Sequence, residues 1–171
     1  MPAPLPFARS ETRLLTALLR ARVPFMVVGL SAATLQGAPV VTQDVDLWFE
    51  NLGDPALSNA LRSVGAGYIP PSNVNPPMLA GEGAELFDIV LRMDGLGPFT
   101  SELGNCVEIP LGRYKLKVLG LDRILASKLA ANRPKDRLTI PVLRDALATT
   151  QLVTSTAKAP RVTRTRQRGH G

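Results

Sequence analysis

Two aspartates, Asp44 and Asp46, stand one residue apart in the apolar stretch "QDVDLWF", which has the composition of a β-strand. Side chains alternate between the two faces of a strand, so Asp44, Asp46 and Trp48 share one face. The two carboxylates then lie about 6.6 Å apart and repel each other by about 2.5 kcal/mol at an effective dielectric of about 20. A divalent metal explains the pair, because Mg²⁺ binds carboxylates, water and substrate phosphates. Two solvated aspartates on a surface strand are the alternative.

A third carboxylate, Asp88, lies in the very apolar segment "ELFDIVL". Its neighbours Phe87 and Ile89 predict that Asp88 is at least partly buried. A buried aspartate is costly unless it is paired or bound to a metal. If this segment pairs with the strand that carries Asp46, three carboxylates converge. The alternative is an aspartate at a strand edge with a local hydrogen bond.

Lys128 occupies an apolar position in the helical segment "LDRILASKLAAN". Leu121, Ile124, Leu125 and Leu129 recur at helical spacing, and Lys128 falls within that stripe. A lysine at such a position either extends its ammonium past the edge of the domain or points into a cleft that holds anions.

Composition excludes several classes of chemistry. The only histidine is His170, near the end of the chain, so no histidine-based triad or zinc site is expected within the fold. No GxxxxGK[ST] sequence occurs, which excludes a Walker phosphate loop. The single cysteine, Cys106, forms no intrachain disulfide and fits a reducing compartment. No secretory signal is recognised, and Pro24, Gly29 and Pro39 interrupt the uncharged run 23–43, so we expect a cytoplasmic protein without a membrane partner.

The order of predicted elements is α-β-α-β-α-β-(α)-β-β-α-α, which indicates an α/β or α+β domain: a small mixed sheet flanked by helices, with a C-terminal helical segment. We expect one domain over residues 1–150. Five of the basic residues lie in 151–171 with no acid, so the net charge of +6 leaves the first 150 residues at +1. This basic tail is predicted to be disordered, and it serves either solubility or binding to an acidic partner such as RNA or DNA.

The stretch "VVGLSAATLQGAPVVTQDVDLWF" resembles the signature of the nucleotidyltransferase superfamily: a strand, a Gly-Ser type of turn, a short helix and a strand with Asp-x-Asp. "FDIVL" stands where that superfamily has its third carboxylate, and "LKVLGLDRILASKLAANRPKDRLTIPVL" resembles its C-terminal segment. The resemblance covers about residues 23–148. It is greatest to small toxin–antitoxin and abortive-infection nucleotidyltransferases. One departure is Leu30, which stands where the family has Gly or Ser, so that Ser31 comes one residue later.

The resemblance implies a role for each of these residues. Gly29, Ser31 and Lys128 would bind the nucleotide, while Asp44, Asp46 and Asp88 would hold Mg²⁺ or Mn²⁺ and form the catalytic site. The implied reaction moves a nucleoside monophosphate from a nucleoside triphosphate to an RNA or protein acceptor, and an antitoxin protein would be a partner. The alternative, which Leu30 favours, is a non-catalytic nucleotidyltransferase-like module that binds nucleotide or a partner protein.

Overall fold

A computed structural model describes residues 5–158. This part of the chain forms six α-helices, a short 3-10 turn and seven strands. The helices are α1 (Arg9–Arg20), α2 (Gly29–Leu35), α3 (Pro55–Arg62), α4 (Phe99–Glu102), α5 (Leu121–Ala131) and α6 (Pro134–Ala157), and the 3-10 turn is Leu103–Asn105. The strands are β1 (Phe25–Val28), β2 (Val45–Phe49), β3 (Ala66–Ile69), β4 (Met78–Gly81), β5 (Phe87–Val90), β6 (Cys106–Leu111) and β7 (Tyr114–Leu119).

Five strands form one mixed sheet in the order β5-β2-β1-β7-β6. The central strand β1 is antiparallel to β2 and parallel to β7, and all four of its residues are buried. At one edge β5 is parallel to β2, and at the other β6 is antiparallel to β7. The remaining strands, β3 and β4, form a separate antiparallel hairpin. This architecture confirms the predicted class of a small mixed sheet flanked by helices.

The sheet is buried over most of both faces. Val27 and Leu47 are register partners on one face and are fully buried. On the other face Met26 is fully buried, and Trp48 packs edge-on against Phe99 with ring centroids 5.8 Å apart. Asp46 lies on that second face, two residues before Trp48, and is partly buried.

Two segments differ from what their local sequence indicates. The Pro/Gly-rich segment "PPSNVNPPMLAGEG" has the composition of a surface loop, but Met78–Gly81 pairs with Ala66–Ile69 as a hairpin. Strands this short, with glycines in them, lack the alternation that marks a strand. An internal proline such as Pro141 usually breaks or bends a helix, yet α6 is continuous from Pro134 to Ala157. Buried Ile140 and Leu143 on either side of the proline anchor it.

Because α6 ends at Ala157, residues 151–157 are helical and not a disordered tail. They are exposed along their whole length, which is consistent with the absence of apolar periodicity there. The basic residues from Arg161 onward lie outside the described residues. Within residues 5–158, none of the helices combines the length and the apolar character needed to cross a bilayer.

Candidate active site

Strand pairing brings two of the predicted carboxylates side by side. Asp46 of β2 and Asp88 of β5 are register partners in parallel neighbouring strands, so they share one face at a strand spacing of about 4.8 Å. Asp44 directly precedes β2 and lines the same cavity as the other two. The three carboxylates therefore meet at one place, as the sequence predicts.

Asp88 differs from its prediction in burial. It is exposed, whereas Asp46 is partly buried. The reason lies in topology: β5 is an edge strand, and its buried Phe87 points to the opposite face from Asp88. The apolar neighbours of Asp88 thus pack on the core without covering it. An exposed carboxylate beside a half-buried one leaves this side of the site open to a second molecule.

Gly29 allows the turn between β1 and α2 to pass directly over Asp46. Its φ is +63°, a conformation that glycine adopts without the strain other residues incur. A Cβ at this position would also collide with Oδ2 of Asp46. Glycine is therefore required twice, by the backbone conformation and by the carboxylate beneath it.

We expect Gly29→Ala to lose the nucleotidyl transfer that the sequence resemblance implies, as well as stability, because the new methyl group must displace the Asp46 carboxylate. Gly112→Ala is the matched control, since Gly112 has φ +59° but nothing within 4 Å of an added Cβ. Both variants incur backbone strain of about 1–3 kcal/mol, visible in thermal denaturation. Only Gly29→Ala should fall at least tenfold in the activity proposed below. Equal activity in the two variants would contradict the close approach of Gly29 to Asp46.

Ser31 lies beneath the turn and is 5% exposed. Its hydroxyl donates to the carbonyl oxygen of Val28 at 2.8 Å and accepts the backbone N–H of Asp46 at 3.1 Å. The hydroxyl thus connects the end of β1 to β2 next to the carboxylates. Its predicted contact with nucleotide phosphates stays a prediction.

Lys128 projects toward the carboxylates from α5. Its side chain is 16% exposed, and its Nζ donates to Oδ1 of Asp136 at 2.9 Å. Oδ2 of Asp136 accepts from Nε of Arg133 at 2.8 Å and from the Arg133 backbone N–H at 3.1 Å. Burial acts to raise the pKa of Asp136, but the hydrogen bonds from Arg133 and Lys128 outweigh it and lower the pKa to about 2. Asp136 is therefore an anion that holds two cations at the site.

The apolar stripe that motivated the interpretation of Lys128 is narrower than predicted. Leu121, Ile124 and Leu125 are buried, but Leu129 is 44% exposed. The buried residue beside Lys128 is instead Ser127. Lys128 thus lies at the boundary between the buried side of α5 and the site.

An ion pair with a buried carboxylate connects α5 to α4. Glu102, at the end of α4, accepts from Nε of Arg123 at 2.8 Å and from its Nη2 at 2.6 Å. These hydrogen bonds lower the pKa of Glu102 to about 2, against the opposing effect of burial. The sequence did not reveal this pair, because the two residues are 21 positions apart in different elements.

Two cavities adjoin Asp46 and differ in charge. The first, of about 260 Å³, is bordered by Gly29 and Ser127 and by four cations against two carboxylates: Arg92, Lys128, Arg133 and Lys135, with Asp46 and Asp94. The second, of about 250 Å³, is bordered by Leu30 and by four carboxylates against two lysines: Asp44, Asp46, Asp88 and Asp136, with Lys128 and Lys135. Asp46 and the two lysines belong to both. The first cavity suits a polyanion, and the second suits cations.

Lys135 and Arg92 were not predicted as site residues. Lys135 borders both cavities, and neither residue forms an ion pair within residues 5–158. Both are exposed, so apolar periodicity gave no signal for them. The signal available for Lys135 was its place between Arg133 and Asp136 in "RPKD".

The surroundings of Asp46 disfavour its charged form. Burial raises the pKa of Asp46 from 3.8 to about 6, and the charges of Asp88 and Asp44 add to the rise. Lys128 and Lys135 oppose it without cancelling it. A cation placed between these carboxylates would relieve both the repulsion and the cost of burial.

The donors fit a divalent metal that keeps most of its ligands from water and substrate. Carboxylate oxygens from two adjacent strands are of the type that Mg²⁺ and Mn²⁺ prefer. Within the part of the chain that is described, no three His, Cys, Asp or Glu side chains are grouped closely enough to hold one ion. Mg²⁺ commonly binds through one or two carboxylates plus substrate phosphates, without a complete protein cage.

The fold is similar to that of a solved structure. The chain is similar to ANT(2'')-Ia, solved in complex with adenylyl-2''-tobramycin, with a TM-score of 0.54 over 85% of this chain and 91% of that one, at 17% identity. ANT(2'')-Ia is an aminoglycoside nucleotidyltransferase. The fold is nucleotidyltransferase-like.

Two further similarities have TM-scores below 0.5. One is the solution structure of the antibiotic-resistance factor ANT(2'')-Ia, at 15% identity, a TM-score of 0.46 and coverage of 85% of this chain and 92% of that one. The other is an antigenic nucleotidyltransferase-like protein from Paracoccidioides brasiliensis, at 16% identity, a TM-score of 0.49 and coverage of 88% and 91%. No family model and no curated protein sequence matches this chain. The similarity to ANT(2'')-Ia therefore concerns the fold alone.

Proposed function

We propose that this protein is a metal-dependent nucleotidyltransferase that moves a nucleoside monophosphate from a nucleoside triphosphate to an acceptor hydroxyl. The observation that carries the proposal is the register of Asp46 beside Asp88 between two cavities of opposite charge. A polyanion and a divalent cation must meet in this reaction, and the two cavities meet at Asp46.

The first cavity would receive the triphosphate. Lys128, Lys135 and Arg92 border it and would neutralise the negative charge of the phosphates, while Gly29, without a side chain, lets phosphate oxygens approach the backbone. Positioning and charge neutralisation of this kind supply most of the catalysis of phosphoryl transfer.

The carboxylates would serve the metal and the acceptor. Asp46, together with Asp44 or Asp88 and with phosphate oxygens and water, would hold Mg²⁺ or Mn²⁺, and the metal when bound would polarise phosphate oxygens and stabilise the leaving pyrophosphate. Asp88 is the carboxylate open to solvent, so it would accept the proton of the acceptor hydroxyl as that oxygen attacks the α-phosphate.

Metal affinity is expected to rise with pH through about 6. The pKa of Asp46 is raised to about 6, so below that pH its carboxyl is protonated and cannot bind a cation. Mn²⁺ binding to the protein without nucleotide, followed by electron paramagnetic resonance at pH 5, 6 and 7.5, should weaken about tenfold per pH unit below 6. In Asp46→Asn the remaining binding should lose most of this dependence. A wild-type affinity that does not change between pH 5 and 7.5 would rule out Asp46 as a ligand.

Incorporation of label from α-³²P nucleoside triphosphates tests the reaction itself. Each of the four nucleotides would be supplied with Mg²⁺ and three kinds of acceptor: total RNA, total protein and a panel of small hydroxylated molecules. The small molecules are included because ANT(2'')-Ia was solved with an adenylylated antibiotic. Label in one acceptor that depends on Mg²⁺ and is lost in Asp46→Asn supports the proposal. Nucleotide binding without transfer to any acceptor would favour the non-catalytic module.

The finer proposal is that the enzyme is the toxin of a toxin–antitoxin pair, with RNA or protein as acceptor. It is supported by the sequence resemblance to small toxin–antitoxin nucleotidyltransferases. Induced expression in a bacterial host should arrest growth with the wild-type protein and not with Asp46→Asn at equal protein level. Growth arrest by both the wild-type protein and Asp46→Asn would show that toxicity does not depend on nucleotidyl transfer. A cytoplasmic location and an antitoxin partner belong to the same proposal.

A further inference from the structure

Ser31 makes hydrogen bonds that lead to Asp46, and its hydroxyl does not face the phosphate cavity. We infer that Ser31 is a positioning residue that holds Asp46 for cation binding, and that it is not a phosphate ligand. The inference rests on the proposed function, since it assigns Asp46 a cation to bind. This role differs from the nucleotide binding that the sequence resemblance implies for Ser31.

The single proton of the Ser31 hydroxyl is already used in a hydrogen bond within the protein. A serine hydroxyl has one proton to donate and two lone pairs. In Ser31 the proton goes to the carbonyl oxygen of Val28 at 2.8 Å, and a lone pair accepts the Asp46 N–H at 3.1 Å. A phosphate oxygen only accepts hydrogen bonds, so Ser31 would have to give up its hydrogen bond to the Val28 carbonyl in order to bind it.

Ser31 lies outside the lining of both cavities. Ser31 is 5% exposed and borders neither of the two cavities at Asp46, although Gly29 borders the first and Leu30 the second. Leu30 occupies the position after the glycine, so the serine comes one residue later in the chain. Its hydroxyl contacts the backbone of Val28 and Asp46. The one-residue offset in the sequence thus has a structural counterpart.

The two hydrogen bonds of the Ser31 hydroxyl hold the backbone of β1 and β2 beside the carboxylates. Val28 and Asp46 are register partners at the end of the β1–β2 ladder, and the Ser31 hydroxyl is bonded to the backbone of both. It fixes the backbone from which the Asp46 carboxylate projects, directly under Gly29. Groups that orient a metal ligand without touching the metal typically contribute 10–100-fold to metal affinity.

The test compares Ser31→Ala with Thr34→Ala, a control on the same short helix. Thr34 also uses its hydroxyl on backbone oxygens, those of Leu30 at 3.0 Å and Val40 at 3.4 Å, but has no hydrogen bond to Asp46. Two affinities are measured for each full-length protein: that for Mn²⁺ without nucleotide, and that for a non-hydrolysable ATP analogue in EDTA. A positioning role predicts that Ser31→Ala weakens Mn²⁺ binding about tenfold and changes metal-free nucleotide affinity less than twofold, while Thr34→Ala changes neither.

The opposite result, weaker metal-free nucleotide binding with unchanged Mn²⁺ affinity, would make Ser31 a phosphate ligand and overturn the inference. Equal losses of Mn²⁺ affinity in Ser31→Ala and Thr34→Ala would overturn it too, because a general loosening of α2 would explain them. If Ser31→Ala does not fold, Ser31→Cys gives the same comparison, since its thiol is a weaker donor and acceptor. A wild-type protein that binds neither Mn²⁺ nor the analogue and transfers no nucleotide contradicts the proposed function and the inference together. A wild-type protein that binds and transfers, with a Ser31→Ala variant that lacks the expected loss of Mn²⁺ affinity, contradicts only the inference.

Discussion

Asp46→Asn is expected to abolish nucleotidyl transfer while raising the stability of the protein. Asparagine keeps the shape of the side chain but removes the charge, so the cation loses the carboxylate that both cavities share. The same change removes a charge that burial and two neighbouring carboxylates disfavour. Loss of function with gain of stability distinguishes a functional residue from a structural one.

The gain in stability should depend on pH in a defined direction. The pKa of Asp46 is raised in the folded protein to about 6, so ionisation destabilises the fold as pH rises from about 4 to 6, and the cost stays constant above that. Asp46 is partly exposed, so solvent screens its charge, and its ionisation lowers the free energy of unfolding by about 1–2 kcal/mol. Asp46→Asn should therefore raise the midpoint of thermal unfolding by a few degrees at pH 7.5 and by almost nothing at pH 4.

Asp145→Asn is the matched control for that experiment, because Asp145 is an exposed carboxylate on α6 away from the three aspartates. It should leave both the unfolding midpoint and the transfer rate unchanged. If Asp46→Asn instead unfolds the domain and transfer per folded molecule is intact, the carboxylate supports the fold and the active-site assignment is wrong.

The carboxylates show how far periodicity and residue chemistry reach. Asp44 and Asp46 were recognised because alternation in a strand puts them on one face, and this pattern is local. The pairing of "ELFDIVL" with "QDVDLWF" was predicted conditionally, and the parallel β2–β5 register confirms it. The burial of Asp88 was predicted wrongly, because strand order across a sheet decides which strand lies at the edge, and the composition of a single strand does not contain that information.

The cations of the site show what local patterns omit. Lys128 stood out against an apolar stripe, but its partner Asp136 lies in the next helix and was not identified. Lys135 and Arg92 are exposed, and exposed charged residues are common, so nothing in the sequence distinguishes them from ordinary surface residues. Gly29 was predicted from the turn, but its close approach to Oδ2 of Asp46 depends on the antiparallel pairing of β1 and β2. What the sequence could not supply is in each case a contact between elements.

Lys128→Met is expected to weaken binding of a non-hydrolysable nucleoside triphosphate at least tenfold, equivalent to about 1.4 kcal/mol. Methionine keeps most of the apolar stem and removes the ammonium that borders both cavities. The apolar stripe alone would predict that methionine holds or raises stability at this position. The ion pair with Asp136, whose side chain is 1% exposed, reverses that expectation, because the buried carboxylate loses one of its partners.

The expected loss of stability is about 2 kcal/mol, below the 3–5 kcal/mol typical of a broken buried pair, because Arg133 still donates to Asp136. Lys117→Met is the control: Lys117 of β7 forms an exposed ion pair with Glu108 of β6, toward the opposite edge of the sheet from β2 and β5, so both affinity and stability should change little. The double variant Lys128→Met/Asp136→Asn separates the effect on nucleotide affinity from the effect on stability, because the carboxylate that Lys128 neutralises is then also uncharged. Its stability should exceed that expected from adding the two single losses, while nucleotide affinity stays low. Isothermal titration and urea unfolding measure both quantities, and an unchanged affinity in folded Lys128→Met would reduce Lys128 to a structural partner of Asp136.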